Sequence, residues 1–243
     1  MPVDPVRDAA IDVLLRVFDR DVHLDQSLDK TLRRKDLGDR GRRFLTQLVY
    51  GTVRHKLLCD HVLRRLCTQP LEELPLPIHT LLRMAVFQSL FQQQVTHPAM
   101  VHTSVELAKK RGHAGLARMV NAVLRKAPQH MDAVRIPDRQ KNLTRYLSVR
   151  HSMQEWMVSM WLEELGEAQT EALCIASNSP APPALRVNTE KTDVVSLQEM
   201  LAKSGIATVK RTTIPEELSL VDFATVSKTK WFQQGFFLQQ DPA

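Results

Sequence analysis

Apolar residues recur at helical spacing through the first 125 or so residues of this 243-residue chain, and this pattern constrains the fold more than any other feature. Val6, Ala10, Val13, Leu14 and Val17 follow the i, i+4, i+7 order of one buried helical face. Further segments repeat the pattern after short connections. They carry Leu24, Leu28 and Leu32; Leu45, Leu48, Val49 and Thr52; Ile78, Leu81, Leu82, Ala85, Val86, Ser89 and Leu90; Val101, Val105 and Ala108; and Leu116, Met119, Val120, Val123 and Leu124. The third helix either continues to Leu66 or breaks before it, so the pattern predicts an α-helical bundle of six or seven helices.

Three local expectations follow from the same pattern. The segment from Ile78 to Leu90 predicts an amphipathic helix. Thr96-His97-Pro98 predicts a helix start, capped by the Thr96 hydroxyl. Further along, one helical stripe carries Trp156, Met157, Met160 and Trp161. These side chains either stack on nucleic-acid bases or, as the spacing favours, form core.

The pattern changes in the second half of the chain. Residues 128–182 read as a linker region with helices near 143–146 and 153–165, closed by a stiff Pro-rich break over Asn178–Pro183. Short strands are then predicted at Ala184–Asn188, Ile206–Lys210, Leu218–Val221 and Phe236–Gln239, with a helix at Val194–Leu201 that ends before Gly205. The predicted fold class is therefore mainly α. It comprises a helical domain over 1–127, a helical linker region over 128–182, and a small, incomplete α/β or ferredoxin-like module over 183–243.

Positive charge is concentrated in the first half. The net charge is +6, yet Lys30 to Arg65 alone holds 11 basic and 3 acidic residues. Such a field attracts polyanions through phosphate contacts. The alternative is an ordinary solvated helical face, but the clustering favours a nucleic-acid surface. The candidate residues are Arg33, Arg34, Lys35, Arg40, Arg42, Arg43, Arg54, Lys56, Arg64 and Arg65.

A helix start close to three of these arginines adds a reason to expect phosphate binding. Arg40, Arg42 and Arg43 open the third predicted helix, with Asp39 expected as its N-cap. Free N–H groups beside exposed cations suit a phosphate. Whether all ten basic residues share one side of the bundle does not follow from the sequence.

Several function classes are disfavoured. The longest unbroken apolar run has five residues, so no membrane span is expected, and the N-terminus has no secretory h-region. Glycine is scarce, and neither G-x-G-x-x-G nor a P-loop occurs. The three cysteines form no CxxC motif and the histidines form no metal-like frame, so no metal site, no catalytic residue and a reducing cytoplasm are expected. Asn121, set mid-helix among apolar residues, is either a functional side chain or, as we expect, a buried amide bonded to nearby backbone.

Six stretches together resemble the Sun/Fmu/RsmB family of ribosomal RNA (cytosine-5)-methyltransferases. They are residues 48–54 (LVYGTVR), 81–88 (LLRMAVFQ), 105–109 (VELAK), 120–125 (VNAVLR), 184–188 (ALRVN) and 235–241 (GFFLQQD). The resemblance implies a NusB-like RNA-binding helical domain, then a linker and an RRM-like subdomain. One departure is Glu155, where family members often have proline before the tryptophan.

The family's methyltransferase domain, which binds S-adenosylmethionine and supplies two cysteines, is expected to be absent from this chain. No cofactor is then expected here, no catalytic role passes to Cys59, Cys67 or Cys174, and the chain alone should be inactive. The resemblance implies the RNA-binding region of such an enzyme, positioning small-subunit ribosomal RNA in the cytoplasm. The alternative is a stand-alone NusB-like antitermination protein with a ribosomal-protein partner; a third is a truncated product without activity. Dimerisation is left open.

Overall fold

The computed structural model describes residues 3–179, 184–210, 217–220 and 236–239. The chain divides into two compact units, 1–178 and 179–243. The three-part division expected from the sequence stays a prediction. No helix in the described ranges is both long enough and apolar enough to span a membrane.

The first unit is a bundle built from nine helical elements of the described chain, and the last of them, α9 (Glu155–Asn178), is broken into two segments at Gly166, which has a φ of 74°. The sequence pattern allowed six or seven helices in this part of the chain, and the structure has seven before residue 125. Asp4 caps α1 by accepting hydrogen bonds from the N–H groups of Val6 (3.0 Å) and Arg7 (2.9 Å). The helices are α1 Pro5–Arg20, α2 Leu24–Arg34, α3 Gly38–Arg54, α4 Lys56–Leu66, α5 Leu76–Phe91, α6 His97–Arg111, α7 Ala114–Leu124, α8 Leu143–His151 and α9 Glu155–Asn178, with short 3-10 turns at Leu71–Glu73 and Met131–Ala133.

Helix α5 is the centre of the bundle, and the expectation that it is amphipathic was wrong. It contacts α1, α3, α4, α6 and α7, so almost every position from Ile78 to Leu90 is buried, including the polar Arg83 and Gln88. Partners from other helices make this burial tolerable. Gln88 accepts a 2.8 Å hydrogen bond from Nε of Arg7 on α1.

A buried ion pair joins α4 to α5. Arg83 donates two hydrogen bonds of 2.7 Å to Asp60, one to each carboxylate oxygen, and the His79 ring lies 3.0 Å from the same carboxylate. Burial alone would raise the pKa of Asp60, but the hydrogen bonds from His79 and Arg83 and the charge of Arg83 outweigh it and lower that pKa. The pair therefore stays charged inside the bundle.

The break between α3 and α4 falls at His55. Its ring is half-buried and stacks on Phe91 with 4.2 Å between ring centres. No side chain of the local sequence caps α4, but Oγ of Ser152, at the end of α8, accepts hydrogen bonds from the N–H groups of Leu57 (2.9 Å) and Leu58 (3.3 Å). The cap for α4 thus comes from a residue far away in sequence.

Helix α6 begins where the sequence predicted, but its predicted cap is wrong. Thr96 stands at the N-cap position and Pro98 in the first turn, yet the Thr96 hydroxyl makes no capping hydrogen bond. The fixed backbone angle of the early proline supports this start without it.

The stripe of large residues on α9 is not all core. Val158 and Trp161 pack with Leu147 of α8, but the side chain of Trp156 is 66% exposed and that of Met160 is 42% exposed. The reason is that α9 buries one narrow face against α8, and Trp156 and Met160 lie on a neighbouring face, one turn apart.

The second unit contains a four-stranded antiparallel sheet with the order β2-β3-β1-β4. Leu185 pairs with Leu218 across the β1–β3 contact, and both side chains pack against α10 residues Leu197 and Leu201. The elements are β1 Ala184–Val187, α10 Val194–Lys203, β2 Thr208–Lys210, β3 Glu217–Leu220 and β4 Phe236–Gln239. Gly205, at a φ of 76°, follows α10, as the sequence predicted. The Pro180–Pro183 part of the predicted break, Val221 of the third predicted strand, and Gly235, Gln240 and Asp241 of the family stretch lie outside the described residues.

Candidate nucleic-acid interface

The end of α2 and the start of α3 bring six of the ten candidate residues together. Arg16 of α1 holds α2 in place through hydrogen bonds to the side chains of Ser27 (2.8 Å) and Thr31 (2.6 Å). Because Ser27, Leu28 and Thr31 form the buried face of α2, its arginines are left outside. The Arg42 guanidinium then donates a 2.8 Å hydrogen bond to the carbonyl of Leu32, which ties the start of α3 to the end of α2. The α2–α3 basic surface consists of Arg33, Arg34, Lys35, Arg40, Arg42 and Arg43.

These six cations are not equally free. Arg33 is paired with Asp29 at 2.9 Å, and Lys35 with Asp12 of α1 at 3.2 Å. Arg34, Arg40 and Arg43 are exposed and form no ion pair with any described residue. Arg42 likewise has no ion-pair partner among the described residues, but its guanidinium is held by the Leu32 carbonyl. Arg34, Arg40 and Arg43 are therefore the cations of this surface that are free to bind an anion.

The start of α3 differs in one detail from the sequence expectation. Leu37 occupies the N-cap position, Gly38 begins the helix with a φ of 59°, and Asp39 lies inside the first turn. The Leu37 side chain cannot cap α3, and the first N–H group, that of Gly38, donates a 3.4 Å hydrogen bond to the Asp36 carboxylate. The positive end of the helix dipole favours anions at this start, and the carboxylates of Asp36 and Asp39 offset part of that effect.

The other four candidate residues lie elsewhere. Arg54 stands at the far end of α3, about 21 Å along the helix from Arg40, and donates to the carbonyl of Asn178. Lys56 follows at the start of α4, over the Phe18 ring. Arg64 pairs with Glu72 at 3.3 Å. Arg65 lines a cleft of about 580 Å³ together with Lys126 and Arg135. The ten predicted basic residues therefore do not share one surface. Six form the α2–α3 basic surface, Arg54 and Lys56 lie where α3 meets α4, and Arg64 and Arg65 lie near the end of α4.

A groove between α6 and α7, which sequence reasoning missed, is a further cationic feature. It has a volume of about 740 Å³, an apolar floor and a basic rim. Val101, Val105 and Ala117 contribute to the floor, while Arg118 and Arg125 stand on the rim contributed by α7. No carboxylate lines the groove. We refer to this feature as the α6–α7 groove.

The rim of the groove follows simple helical spacing. Arg118, Asn121 and Arg125 occur at i, i+3 and i+7. Arg125 directly follows α7 and keeps helical backbone angles, so the three residues lie on one face. From α6, His102 and Lys109 are two turns apart on the facing side, and Lys109 is paired with Glu106 at 2.7 Å. This periodicity was the sequence signal for the groove. It was overlooked because the charge density between 30 and 65 is higher.

Asn121 departs from its predicted role. Its side chain is half-buried and lines the α6–α7 groove, and it makes no hydrogen bond to any described residue. The expectation of a buried amide bonded to backbone was therefore wrong. Its helical position turns it toward the facing helix, where it leaves an amide donor and acceptor free.

The buried thiol of Cys59 is not a nucleophile in this bundle. Burial raises the pKa of Cys59, and the charge of Asp60 raises it further, so the sulfur stays protonated. Within the described ranges, no three or more His, Cys, Asp or Glu side chains cluster as metal ligands would. What the two cationic surfaces offer chemically is the binding of anions.

Comparison with known proteins agrees with this architecture. Residues 4–129 match the model of the NusB family. Transcription antitermination protein NusB of Chloroflexus aggregans is 32% identical over 122 residues, and the match covers 49% of this chain and 81% of that protein. The chain belongs to the NusB family. Both the α2–α3 basic surface and the α6–α7 groove lie inside its NusB region.

The NusB region is followed by a second matched domain. Residues 153–227 match the model described as "Methyltr_RsmF/B-like, ferredoxin-like domain". The probable ribosomal RNA small subunit methyltransferase B of Bacillus subtilis is 31% identical over 240 residues, covering 97% of this chain and 52% of that protein. The crystal structure of PH0851, 18% identical, superposes with a TM-score of 0.62 over 98% of this chain and 54% of that one, which shows a shared fold.

These matches confirm the resemblance to the Sun/Fmu/RsmB family and the predicted fold class, a NusB-like bundle with a small ferredoxin-like domain. This NusB-family chain spans about half the length of the curated relatives that match it over nearly its whole extent.

Proposed function

We propose that this chain is the RNA-binding region of an S-adenosylmethionine-dependent ribosomal RNA (cytosine-5)-methyltransferase. In this proposal the α2–α3 basic surface holds small-subunit ribosomal RNA in the cytoplasm, and methyl transfer takes place in a part of the protein beyond this chain. The names of the relatives support the class of enzyme. The observation that carries the binding role is the set of three exposed arginines without an ion-pair partner among the described residues, Arg34, Arg40 and Arg43, close to the start of α3.

Two basic clefts of the described chain, the α6–α7 groove and the cleft beside Arg65, do not fit S-adenosylmethionine. Sites for ribose-bearing cofactors commonly place a carboxylate on the ribose hydroxyls. The α6–α7 groove and the cleft beside Arg65 have no carboxylate in their linings. No step of methyl transfer is therefore assigned to this chain, and its own role is to bind and orient RNA.

The binding role predicts a strong dependence on salt. Phosphate contacts release counterions, so affinity falls steeply as salt rises, and the slope decreases by about 0.7–0.9 for each phosphate that the protein no longer neutralises. Fluorescence titration of a labelled ribosomal RNA hairpin at several salt concentrations measures this. The triple variant Arg34→Ala, Arg40→Ala, Arg43→Ala should weaken binding to many RNAs alike and reduce the slope by about 2.

A matched control removes the same charge elsewhere. Lys141, Arg145 and Lys191 are exposed, and the Lys141→Ala, Arg145→Ala, Lys191→Ala variant should bind almost as the unaltered chain does. Equal losses of affinity in both triple variants, or binding insensitive to salt, would refute the α2–α3 basic surface as the RNA site.

A second candidate function is that of a stand-alone antitermination protein with a ribosomal-protein partner. The 32% identity to an antitermination NusB protein favours it. The RsmF/B-like domain match at 153–227 favours the methyltransferase instead. If a ribosomal protein were needed before the chain binds RNA, the antitermination role would replace the first proposal.

A further inference from the structure

The first segment of α9, residues 155–165, exposes two large apolar side chains. Trp156 is 66% exposed and Met160 is 42% exposed, and both lie on a face of the helix that α8 does not bury. A tryptophan that is packed in a core or an interface removes about 150–250 Å² of surface from water, so an exposed one gives up much of that stabilisation. Large apolar side chains that are exposed together, one helical turn apart, are typical of a surface on which another molecule packs.

The charge around these side chains is negative throughout. Glu163 and Glu164 follow Trp156 by seven and eight residues, so they flank the apolar pair on its two sides, and Glu155 begins the helix. All three glutamates are exposed and form no ion pair with any residue that the structure describes. Since residues 155–165 contain no Lys, Arg or His, the three glutamates give this segment a charge of −3, in a chain whose net charge is +6. We call this surface the α9 acidic face, and it consists of Trp156, Met160, Glu155, Glu163 and Glu164.

The negative charge makes RNA and a second copy of the chain poor occupants of the α9 acidic face. Phosphates are repelled by Glu163 and Glu164, so the Trp156 ring is a poor platform for stacking RNA bases. In a symmetric dimer the same face of both copies would meet, and like charges would lie opposite each other. A basic partner, in contrast, is attracted by these charges.

We propose that the α9 acidic face binds a lysine- and arginine-rich amphipathic helix of another protein. The apolar side of this helix packs on Trp156 and Met160, and its basic residues pair with Glu163 and Glu164. Apolar anchors one helical turn apart, with charges on the flanks, are how two helices commonly recognise each other. An arginine of the partner also gains from the Trp156 ring, because indole is the best cation–π acceptor among the side chains.

The α9 acidic face is distinct from the surface that is proposed to hold RNA. It lies beyond residues 4–129, which match the NusB family, and inside residues 153–227, which match the RsmF/B-like model. The inference therefore does not rest on the proposed function and stands or falls without it.

The first test measures the binding of a defined peptide to the unaltered chain by fluorescence anisotropy. The probe is a labelled helical peptide of about 18 residues, or five turns, with leucines on one face and lysines and arginines on the other. A second peptide of the same composition has a scrambled order and therefore lacks the apolar face. The amphipathic probe should bind about tenfold more tightly than the scrambled one. Equal affinities would overturn the proposal, since charge alone would then explain the binding.

The second test locates the probe by substitution. Trp156→Ala should weaken binding of the amphipathic probe about tenfold or more, because aromatic anchors dominate such interfaces. Glu163→Gln with Glu164→Gln should weaken it about two- to fivefold and reduce its dependence on salt. A Trp156→Ala chain that binds the probe as tightly as the unaltered chain would overturn the proposal.

Matched controls make the same kinds of change elsewhere on the surface. Val195 of α10 is another exposed apolar residue, and Glu190 and Glu199 are exposed carboxylates. Val195→Ala, and separately Glu190→Gln with Glu199→Gln, should leave the affinity for the probe unchanged. Losses as large as those at Trp156 and at Glu163 with Glu164 would show that the probe does not select the α9 acidic face.

Three further outcomes would each assign the face to a different occupant and overturn the proposal. If Trp156→Ala weakens binding of the ribosomal RNA hairpin, the ring stacks on RNA bases. If sedimentation shows self-association that Trp156→Ala abolishes, the occupant is a second copy. If a longer form of the protein that carries the methyltransferase domain of the proposed function no longer binds the probe, that domain covers the face. Unchanged hairpin binding, no self-association and probe binding by the longer form support the proposal.

This inference and the proposed function can fail separately. If the Arg34, Arg40, Arg43 variant binds the hairpin normally while Trp156→Ala loses the probe, the proposed function falls and the α9 inference stands. If that arginine variant loses the hairpin and Trp156→Ala still binds the probe, the reverse holds.

Discussion

The hydroxyl oxygen of Ser152, at the end of α8, accepts a 2.9 Å hydrogen bond from the backbone N–H of Leu57 in the first turn of α4. It also accepts from Leu58, so one side chain satisfies two donors that would otherwise be unpaired. The region that the sequence marked as a linker therefore stabilises a helix of the bundle.

Replacing this serine should destabilise the chain measurably. Ser152→Ala removes the cap without changing the backbone preference at the left-handed φ of 58°, so we expect a loss of about 1 kcal/mol in the free energy of unfolding. Urea unfolding followed by circular dichroism measures it. Ser177→Ala, at an exposed position of α9, is the control and should change stability by less than about 0.5 kcal/mol. Equal effects at both positions would show that the Ser152 cap contributes nothing.

The pair between Asp60 and Arg83 should matter far more than a surface pair. Asp60→Asn leaves the buried Arg83 charge without its partner, so we expect a loss of about 3–5 kcal/mol. Asp29→Asn breaks the exposed pair with Arg33 and should cost less than about 1 kcal/mol. Both variants are compared by urea unfolding at pH 7. A loss at Asp60 as small as that at Asp29 would mean that the buried guanidinium finds other partners or water.

Gly51 marks a close approach of α3 to α5. A Cβ at this position would lie 1.9 Å from Cζ of Phe87. Alanine improves helix propensity by about 1 kcal/mol, but the clash should outweigh it and destabilise Gly51→Ala by about 2 kcal/mol or more. Adding Phe87→Leu should return part of the loss, because the smaller side chain makes room. The four proteins of this double-mutant cycle are compared by thermal unfolding, and purely additive losses would contradict the steric account.

His55 should make stability dependent on pH. Burial, aided by the charge of Arg54, lowers its pKa from 6.5 to about 4 in the folded chain. The unfolded chain therefore binds more protons between these values. The free energy of unfolding therefore has its full value above about pH 6.5 and decreases as the pH falls toward 4, by at most about 3 kcal/mol.

His55→Phe keeps a ring against Phe91 but cannot be protonated, so the decline between pH 6.5 and 4 should be smaller in this variant. Unfolding free energies at four or five pH values measure the difference. His23→Phe, at an exposed position, is the control. The same pH profile in the unaltered chain and in both variants would exclude His55 as the source.

Much of the bundle follows from the sequence because each helix has its own local apolar pattern. The apolar spacing from Val6 to Val17 and from Leu24 to Leu32 places α1 and α2 correctly. The break at His55 does not follow from the sequence, because Ser152, the residue that caps α4 after the break, is 95 residues away from Leu57. The burial of Arg83 was equally hidden, because Asp60 lies on another helix.

Of the candidate site, the part formed by residues close in sequence could be predicted, and the part formed by the packing of two helices could not. The charge density around Arg33 to Arg43 indicates the α2–α3 basic surface directly, since those residues are close in sequence. The α6–α7 groove depends on how two helices pair, so Arg118 and Lys109 were not recognised as neighbours of one concavity. The exposure of Trp156 likewise depends on how narrow a face α9 buries.

The central position of α5 limits which of its residues can be substituted among related sequences. Because α5 is enclosed by five other helices, a substitution at almost any of its positions alters a packed contact. Its buried Arg83 and Gln88 side chains are hydrogen-bonded to partners on other helices. Arg83 should therefore be exchanged in relatives only together with Asp60, and Gln88 only together with Arg7. The exposed arginines Arg34, Arg40 and Arg43 have no such partners among the described residues. The rate of change along the chain should thus be lowest at α5.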